Sequence, residues 1–337
     1  MKTEIRIDSS SDAMRHRMSK YTVINKTFLA AAMVILIVIF CGSATGIQFQ
    51  KKNLQSPVIA FISDTQEPMS IEKLWLKSDN NELATNAIFY ALRKERNISA
   101  VFHLGDITAI GFCPGEWDNI SGKFSMLKKS GIPVYPTMGN HEYLLWPSGG
   151  KEQFLKHFPQ VKSWWYVKQV GAVAVILLNS NFPDLSSQEI SAQQKWYLSQ
   201  LKNFEQNASI KYVIVGTHYS PYTNSKIVGP SYDVQKYFVP AFLKNRKCKL
   251  FISGHAHTFE HFKKGGKDFI VTGGGGGLLH PLLTGREARY KDLYSKRTRT
   301  FNYVTCEENG NSLLVKVKML NKDYRSFSEV YNIGIER

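Results

Sequence analysis

The stretch of residues 250–260 carries two histidines, His255 and His257, separated by a single residue. They follow a short apolar run that Gly254 breaks, which predicts a loop at the carboxyl end of a buried strand. In an extended His-x-His segment both imidazoles point the same way, so the pair can bind one metal ion or two adjacent ions. Two histidines on a surface loop are also common. The pair therefore indicates a metal site only if other ligands meet it.

Four further loops carry metal ligands at the equivalent place. Each follows a short apolar run typical of a buried strand, and the ligands are Asp64, Asp106, Asn140 with His141, and His218. Open α/β sheets place their sites at the carboxyl ends of the strands, so we expect these side chains to meet the two histidines. Two neighbouring dications repel each other, and this set supplies both an anionic bridge and neutral ligands.

In order and spacing, these loops resemble the signature blocks of the calcineurin-like metallophosphoesterases. The blocks are Asp64-x-Gln66, Gly105-Asp106, Gly139-Asn140-His141-Glu142, Val215-x-x-His218 and Gly254-His255-x-His257. The resemblance runs from about Pro57 to the C-terminus. It implies two divalent metal ions, with manganese as the first choice and iron, zinc or magnesium as alternatives.

The resemblance also implies roles for single residues. Asp106 would bridge the two ions, and His141 would be an acid outside the ligand shell. The other ligands divide into Asp64, Gln66 and His257 at one site and Asn140, His218 and His255 at the other. Tyr219 and Tyr222 begin a loop that runs to Tyr232, and we expect both to contact substrate.

Two positions depart from the family pattern. Most members have histidine two residues after the first aspartate, whereas this chain has Gln66, whose uncharged amide oxygen favours harder ions such as manganese over zinc. The purple acid phosphatases, which the chain otherwise resembles, have a tyrosine ligand three residues after the second aspartate. Ala109 stands there, so a ferric centre is disfavoured.

The N-terminal part predicts membrane insertion and export. Residues 1–26 read as a basic, disordered cytoplasmic tail, 27–47 as a signal anchor or a cleaved signal peptide, and 48–56 as a linker before the domain 57–337. Basic residues concentrate before the apolar stretch. We therefore expect a single-pass membrane protein with an exported, periplasmic or extracellular, catalytic domain, or a secreted protein if the signal is cleaved.

Strands and helices alternate along residues 57–337, which predicts an α/β fold. We expect a four-layer αββα sandwich of two mixed sheets with flanking helices, preceded by one N-terminal membrane helix. A helix over 188–204 is predicted to bury Trp196, Leu198 and Leu201. The run Gly273–Gly277 lacks the lysine and serine or threonine of a phosphate-binding loop, and we interpret it as a flexible turn at the rim of the site.

The amino-acid composition argues against some classes of site and of binding partner. The four cysteines form no CxxC pair, which argues against a structural zinc site or a disulfide framework. The formal net charge of +16 attracts anionic substrates. The basic runs at 244–249 and 263–267 contain no aromatic residue and the run at 286–299 contains only Tyr290 and Tyr294, which is too few for a stacking platform, so specific nucleic-acid binding is not expected.

These observations predict a phosphoesterase. We expect hydrolysis of phosphomonoesters by a metal-bridging hydroxide, with His141 protonating the leaving oxygen. Phosphorylated small molecules or nucleotides would be the substrates. A phosphodiesterase or nucleotide pyrophosphohydrolase is the alternative, since some branches of the family carry glutamine at the place of Gln66. A non-catalytic, membrane-tethered binding protein is a lesser one.

Overall fold

The computed structural model describes residues 56–74, 76, 80–296 and 298–337. The predicted tail 1–26, the apolar segment 27–47 and all but the last residue of the linker lie outside these residues. Within the described part of the chain, no helix is long and apolar enough to cross a lipid bilayer. The three cysteines of that part, Cys113, Cys248 and Cys306, are free thiols.

One sheet has six strands in the order β12-β11-β10-β1-β2-β3. The strands are β1 (Val58–Ile62), β2 (Ile98–His103), β3 (Val134–Pro136), β10 (Asn302–Asn309), β11 (Ser312–Leu320) and β12 (Phe327–Glu336). The first three run parallel, and β10 pairs antiparallel with β1. Strands β10 and β11 form a hairpin with Gly310 in its turn.

The second sheet also has six strands, in the order β4-β5-β6-β7-β9-β8. They are β4 (Tyr166–Val170), β5 (Val173–Leu177), β6 (Tyr212–Thr217), β7 (Cys248–Ser253), β8 (Phe259–Lys264) and β9 (Lys267–Thr272). Its four central strands are parallel, and both edge strands are antiparallel. Strand β5 is buried along its whole length, as its unbroken apolar run predicts.

Helices cover the outer faces of both sheets. They are α1 (Asn81–Lys94), α2 (Pro114–Lys129), α3 (Asn140–Tyr143), α4 (Pro147–His157), α5 (Ser187–Gln206), α6 (Tyr232–Tyr237) and α7 (Val239–Lys244). One apolar cluster, with Phe61, Val175 and Ile214, lies between the sheets. Two more lie between each sheet and its helices. This arrangement confirms the predicted αββα sandwich of two mixed sheets.

Helix α5 shows where the sequence prediction was wrong. The Ser186 hydroxyl accepts a bond from the Glu189 N–H, and the Glu189 carboxylate accepts one from the Ser186 N–H. This capping box sets the start of the helix. The helix buries Leu201 as predicted, but its buried face also carries Tyr197 and Phe204, whereas Leu198 is 49% exposed. Leu198 is one position removed from the stripe that faces the sheet.

Candidate metal centre

The predicted ligands lie on loops that leave the carboxyl ends of parallel strands in both sheets. Asp64 follows β1 and Asp106 follows β2, while His218 and His255 follow β6 and β7. Backbone hydrogen bonds tie the loops together, because the Asp64 N–H donates to Gly105 and the Gly254 N–H donates to His218, both at 3.0 Å. Each bond thus holds two neighbouring loop ends of one sheet together.

Two groups of possible ligands share one carboxylate. Asp64, Asp106 and His257 form one group, and Asp106, His218 and His255 form the other, with the ligand atoms of each group within 4.8 Å of one another. The Asp106 Oδ2 atom is 3.2 Å from the Nε2 atom of His218. Asp106 is thus the only one of these five side chains that stands in both groups.

Asn140 and Gln66 each join one of the groups. The Oδ1 atom of Asn140 is 3.0 Å from the Nε2 atom of His218. The Nε2 atom of Gln66 is 3.2 Å from the Nε2 atom of His257, which itself is 3.4 Å from Asp64 Oδ1. The structure therefore brings together all seven side chains that the sequence nominates as metal ligands.

Backbone carbonyls orient two of the imidazoles. The Nδ1 atom of His218 lies 2.9 Å from the carbonyl oxygen of Leu104, and that of His257 lies 2.9 Å from the carbonyl of Leu278. A carbonyl oxygen only accepts, so Nδ1 carries the proton in each ring. With Nδ1 held in this way, Nε2 is the ring atom that faces the carboxylates, as in metal-binding histidines.

Gln66 provides a direct test of whether these residues suit a cation. Its side chain is 1% exposed, and its Oε1 atom has no hydrogen-bond partner among the described residues. An unpaired buried carbonyl oxygen is unfavourable by about 1–3 kcal/mol. A hard divalent cation would satisfy this oxygen and the lone pairs around it. The residues present therefore fit divalent cations.

The pKa values reveal a strong field at Asp106. Burial opposes ionisation of this carboxyl, but His218 and His141 outweigh that effect and hold its pKa well below the usual range. Burial alone would lower the pKa of His218, and Asp106 reverses this and raises it to about 9. Burial and His218 hold the pKa of His255 well below its ordinary value. The centre therefore favours positive charge beside Asp106 while keeping the His255 imidazole neutral.

His141 lies beside the groups of ligands without belonging to either of them. Its backbone N–H donates to Asp106 Oδ1 at 2.9 Å, and its Nδ1 atom lies 2.8 Å from the carbonyl oxygen of Ala109. Its Nε2 atom is 3.8 Å from Asp106 Oδ2. The side chain is held in one orientation at the edge of the cluster. Nε2 is its only ring nitrogen that forms no hydrogen bond with the described residues.

Glu142 is a residue whose role the sequence did not reveal, although it stands in one of the quoted blocks. It is fully buried and accepts backbone N–H bonds from Gly139, Asp106 and Ile107 at 2.6, 3.0 and 2.7 Å. Burial and the nearby Asp106 raise its pKa to about 7. Glu142 thus joins the loop of Asp106 to the loop of Asn140.

The run Gly273–Gly277 is not a flexible turn, contrary to the prediction from the sequence. All five residues are buried. A Cβ atom at Gly275 would lie 2.0 Å from the carbonyl oxygen of Ser63, and one at Gly277 would lie 2.4 Å from the His257 ring. The segment is glycine-rich because its backbone packs directly against the ligand loops.

The two tyrosines nominated for substrate contact lie in different surroundings. The ring of Tyr219 is 4.4 Å from the ring of His255, so it lines the centre. Tyr222 is 4% exposed and packs against Phe269 and Tyr290 in the core of the second sheet. The structure brings Tyr219 to the metal ligands and does not bring Tyr222 there.

Comparisons with known proteins agree with this architecture. Residues 57–259, more than half of the chain, match the family model of the calcineurin-like phosphoesterases. No curated protein matches the sequence.

Three solved structures have a similar fold. A purple acid phosphatase from yellow lupin has a TM-score of 0.61 at 16% identity, over 83% of this chain and 54% of that one. A dimetal phosphatase from Danio rerio has a TM-score of 0.54 at 13% identity, over 84% and 99% of the two chains. GAP50 of Plasmodium, described as the anchor in the inner membrane complex, has 0.59 at 16% identity, over 84% and 89%. The family match and the shared fold together show that the chain belongs to the calcineurin-like phosphoesterase family.

Proposed function

We propose that the protein is a metal-dependent hydrolase of phosphomonoesters that works at a centre of two divalent cations. The observation that carries this proposal is the pair of ligand groups that share Asp106. One cation would be held by Asp64, Gln66, Asp106 and His257, and the other by Asp106, Asn140, His218 and His255. Two dications at such a centre would lower the pKa of a water molecule and neutralise phosphoryl oxygens. Manganese suits the uncharged oxygen of Gln66.

His141 is the residue that we assign to proton transfer. Its Nδ1 proton is held by the carbonyl oxygen of Ala109, so only Nε2 is free to gain or lose a proton. The side chain is 10% exposed, so it is not sealed from solvent. In the protonated ring, Nε2–H would donate to the leaving oxygen of the ester. Tyr219, beside His255, is our candidate for a contact to the phosphoryl group.

A phosphodiesterase or nucleotide pyrophosphohydrolase is the second candidate, and Gln66 is the observation that favours it. A non-catalytic binding protein is the third candidate. The likeness to GAP50, described as an anchor, favours that reading, and the complete set of ligand side chains opposes it.

Export and membrane anchoring through residues 27–47 belong to the same proposal. An alkaline-phosphatase reporter fused after Lys52 should be active, and a reporter that works only in the cytosol should be silent there, because basic residues precede the apolar segment. The opposite pattern would overturn the proposed orientation. Detection of the N-terminus on the mature chain would separate an anchor from a cleaved signal.

Substitution of the shared carboxylate tests the metal centre. The full-length protein should bind two divalent ions per chain and hydrolyse nitrophenyl phosphate. Asp106→Asn should lose both ions and nearly all activity, because a neutral amide cannot bridge two dications as a carboxylate does. Asp118→Asn, an exposed change on α2, is the matched control and should retain both.

The outcomes separate the three candidates. Two ions per chain in Asp106→Asn would refute the shared-ligand assignment. Wild-type protein that holds two ions yet hydrolyses no phosphomonoester, diester or pyrophosphate would favour the binding protein. Faster hydrolysis of diesters, or of pyrophosphates that carry no terminal phosphate, than of monoesters would favour the second candidate.

A further inference from the structure

A cavity of about 770 Å³ opens beside the metal ligand His257. His257 and His280 line part of its wall, and the chain from Leu282 to Lys296 lines most of the rest. Pockets for small-molecule ligands have volumes of roughly 300–1,000 Å³. The cavity is therefore large enough for a sizeable part of a substrate, and it lies next to the place where the phosphoryl group would be held.

His280 stacks on the metal ligand within this wall. The two ring centroids are 4.3 Å apart, and the ring planes are inclined by 20°. The backbone N–H of His257 donates to His280 Nδ1 at 3.2 Å. His280 is thus fixed both by its ring contact and by a hydrogen bond to the ligand loop.

Ser225 determines which nitrogen of His280 carries the proton. Its Oγ atom accepts N–H bonds from Ile227 and Val228 at 3.1 and 3.2 Å. The Oγ atom also lies 3.1 Å from His280 Nδ1, so the hydroxyl proton points there. Nδ1 therefore accepts two hydrogen bonds, and the ring proton is on Nε2. Among the described residues, His280 Nε2 has no hydrogen-bond partner, which leaves one fixed donor on a residue of the cavity wall.

The charged residues around the cavity are mostly cationic. Lys291, Lys296 and Arg299 line it together with a single carboxylate, Asp292. Asp292 and Arg299 form an ion pair with each other. The Nζ atom of Lys296 donates to the backbone carbonyl of Val330 at 3.4 Å and forms no ion pair among the described residues. Within the described chain, Lys291 forms neither an ion pair nor a hydrogen bond, so its charge is available to a ligand.

We propose that this cavity is the leaving-group subsite and that it binds a second phosphate, so that the favoured substrates are phosphoanhydrides with a terminal phosphoryl group, which is singly substituted as in a monoester. The proposal rests on the proposed function, and it names the substrate class of the same centre. His280 Nε2–H and the Lys291 ammonium are hydrogen-bond donors without acceptors among the described residues. A phosphate group would supply negatively charged acceptor oxygens to both. A neutral alkyl leaving group would leave both of them unpaired.

The reaction is balanced as a hydrolysis. Water oxygen forms a new bond to the terminal phosphorus, and the bond from that phosphorus to the bridging oxygen breaks. The bridging oxygen keeps the electron pair as part of the departing phosphate, which the cavity holds. His141 gives the bridging oxygen its proton, the proton lost by the water restores the protonated His141 directly or through solvent, and no oxidant or reductant is needed.

Binding of non-hydrolysable analogues tests the subsite without turnover. Methylenediphosphonate and methylphosphonate are titrated calorimetrically into the metal-loaded, full-length protein and its variants. A diphosphonate also chelates the metal ions better than a monophosphonate does, in wild type and variants alike. The test is therefore the change in the ratio of the two affinities between wild type and variant. A charge-assisted hydrogen bond is worth about 1.5–3 kcal/mol, which corresponds to at least a tenfold change in affinity. Lys291→Ala and His280→Phe should each reduce this preference, the ratio of the affinity for methylenediphosphonate to that for methylphosphonate, by about tenfold or more.

The control is Lys129→Ala, an exposed lysine at the end of α2, which should leave the preference as in wild type. Phenylalanine keeps the stacking on His257 but removes both ring nitrogens, so metal content per chain is measured for every variant. If His280→Phe loses metal, the result for Lys291→Ala decides the test, because Lys291 is bonded to none of the proposed metal ligands. A preference that is unchanged in Lys291→Ala would overturn the proposal.

Hydrolysis separates this inference from the proposed function. The ratio of kcat/KM for adenosine diphosphate to that for nitrophenyl phosphate should fall about tenfold in Lys291→Ala. A protein that hydrolyses nitrophenyl phosphate with a ratio insensitive to Lys291 would sink the subsite and keep the proposed function. A protein that binds the diphosphonate through Lys291 and His280 but hydrolyses no phosphoester would do the reverse.

Discussion

Replacing Gly277 with alanine should expel one metal ion and leave the other. The added Cβ atom would stand 2.4 Å from Cε1, 2.5 Å from Nδ1 and 3.0 Å from Nε2 of His257, whereas ordinary contacts begin at 3.4 Å. The ring must therefore retreat by about 1 Å, the difference between 3.4 and 2.4 Å. Metal–ligand distances tolerate only about 0.2 Å.

The His257 ring has little room for that retreat. Its Nδ1 atom is bonded to the carbonyl of Leu278, which directly follows the substituted residue. Its ring is stacked on His280. Overpacking of a tightly packed site costs roughly 1–3 kcal/mol of folding stability in addition. The group of Asp106, His218 and His255 does not include His257, so it should keep its ion.

Metal analysis and thermal unfolding of the same samples measure both effects. Gly277→Ala should hold about one ion per chain and unfold at a lower temperature than wild type. The matched control is Gly122→Ala in the exposed part of α2, where nothing lies within 4 Å of the new Cβ atom. That control should keep two ions and gain about 1 kcal/mol, since alanine is the better helix former. Two ions per chain in Gly277→Ala, with wild-type affinity, would refute the argument that the glycine run positions His257.

Three other changes test separate features. Gln66→His should tighten one metal site and shift its preference towards zinc, because imidazole is a softer ligand than an amide; an unchanged metal profile would remove Gln66 from the ligands. His141→Asn should keep both ions and lose about 10²–10⁴-fold in rate on an alkyl phosphate but far less on nitrophenyl phosphate, whose leaving group departs without a proton. Equal losses on both substrates would withdraw the acid role. Glu260 is buried, which raises its pKa to about 7, so the folded chain holds its proton more tightly than the unfolded chain. The contribution of Glu260 to stability against denaturant should therefore fall, by at most roughly 3 kcal/mol, as the pH rises from about 4.5 to 7. Glu260→Gln should remove this part of the slope and leave the part due to Glu142, whose pKa is also raised to about 7.

The central strands were predictable because burial on both faces leaves an unbroken apolar run. Strand β5 and strand β6 show this, since every residue of each is buried. Strand β8 was not predicted, because two of its four buried residues are Glu260 and His261. Both have partners far away in the sequence, Thr223 for Glu260 and Tyr331 for His261. A polar residue whose partner comes from elsewhere in the chain gives no local signal of burial.

Helix α4 was missed for a related reason. Two glycines stand in its first turns, and glycine disfavours an isolated helix by about 1 kcal/mol per residue. The structure explains both. A Cβ atom at Gly149 would lie 2.7 Å from the Trp146 ring, and one at Gly150 would lie 1.8 Å from the carbonyl oxygen of Glu142. Close packing against the loop of His141 outweighs the local propensity at this helix.

The ligand types could be inferred from their positions at the ends of strands, but the way in which the loops make room for them could not. Asp64, Asp106 and His255 have φ angles of 59°, 54° and 66°, a left-handed conformation that costs a non-glycine residue roughly 1 kcal/mol or more. The glycines of other blocks provide the space. A Cβ atom at Gly139 would stand 2.1 Å from Oδ1 of Asp106, and one at Gly254 would stand 2.5 Å from Oδ2 of Asp64. Each of these glycines therefore serves a carboxylate on a different loop, and a chain that kept every ligand but lost either glycine would still lose the geometry of the centre.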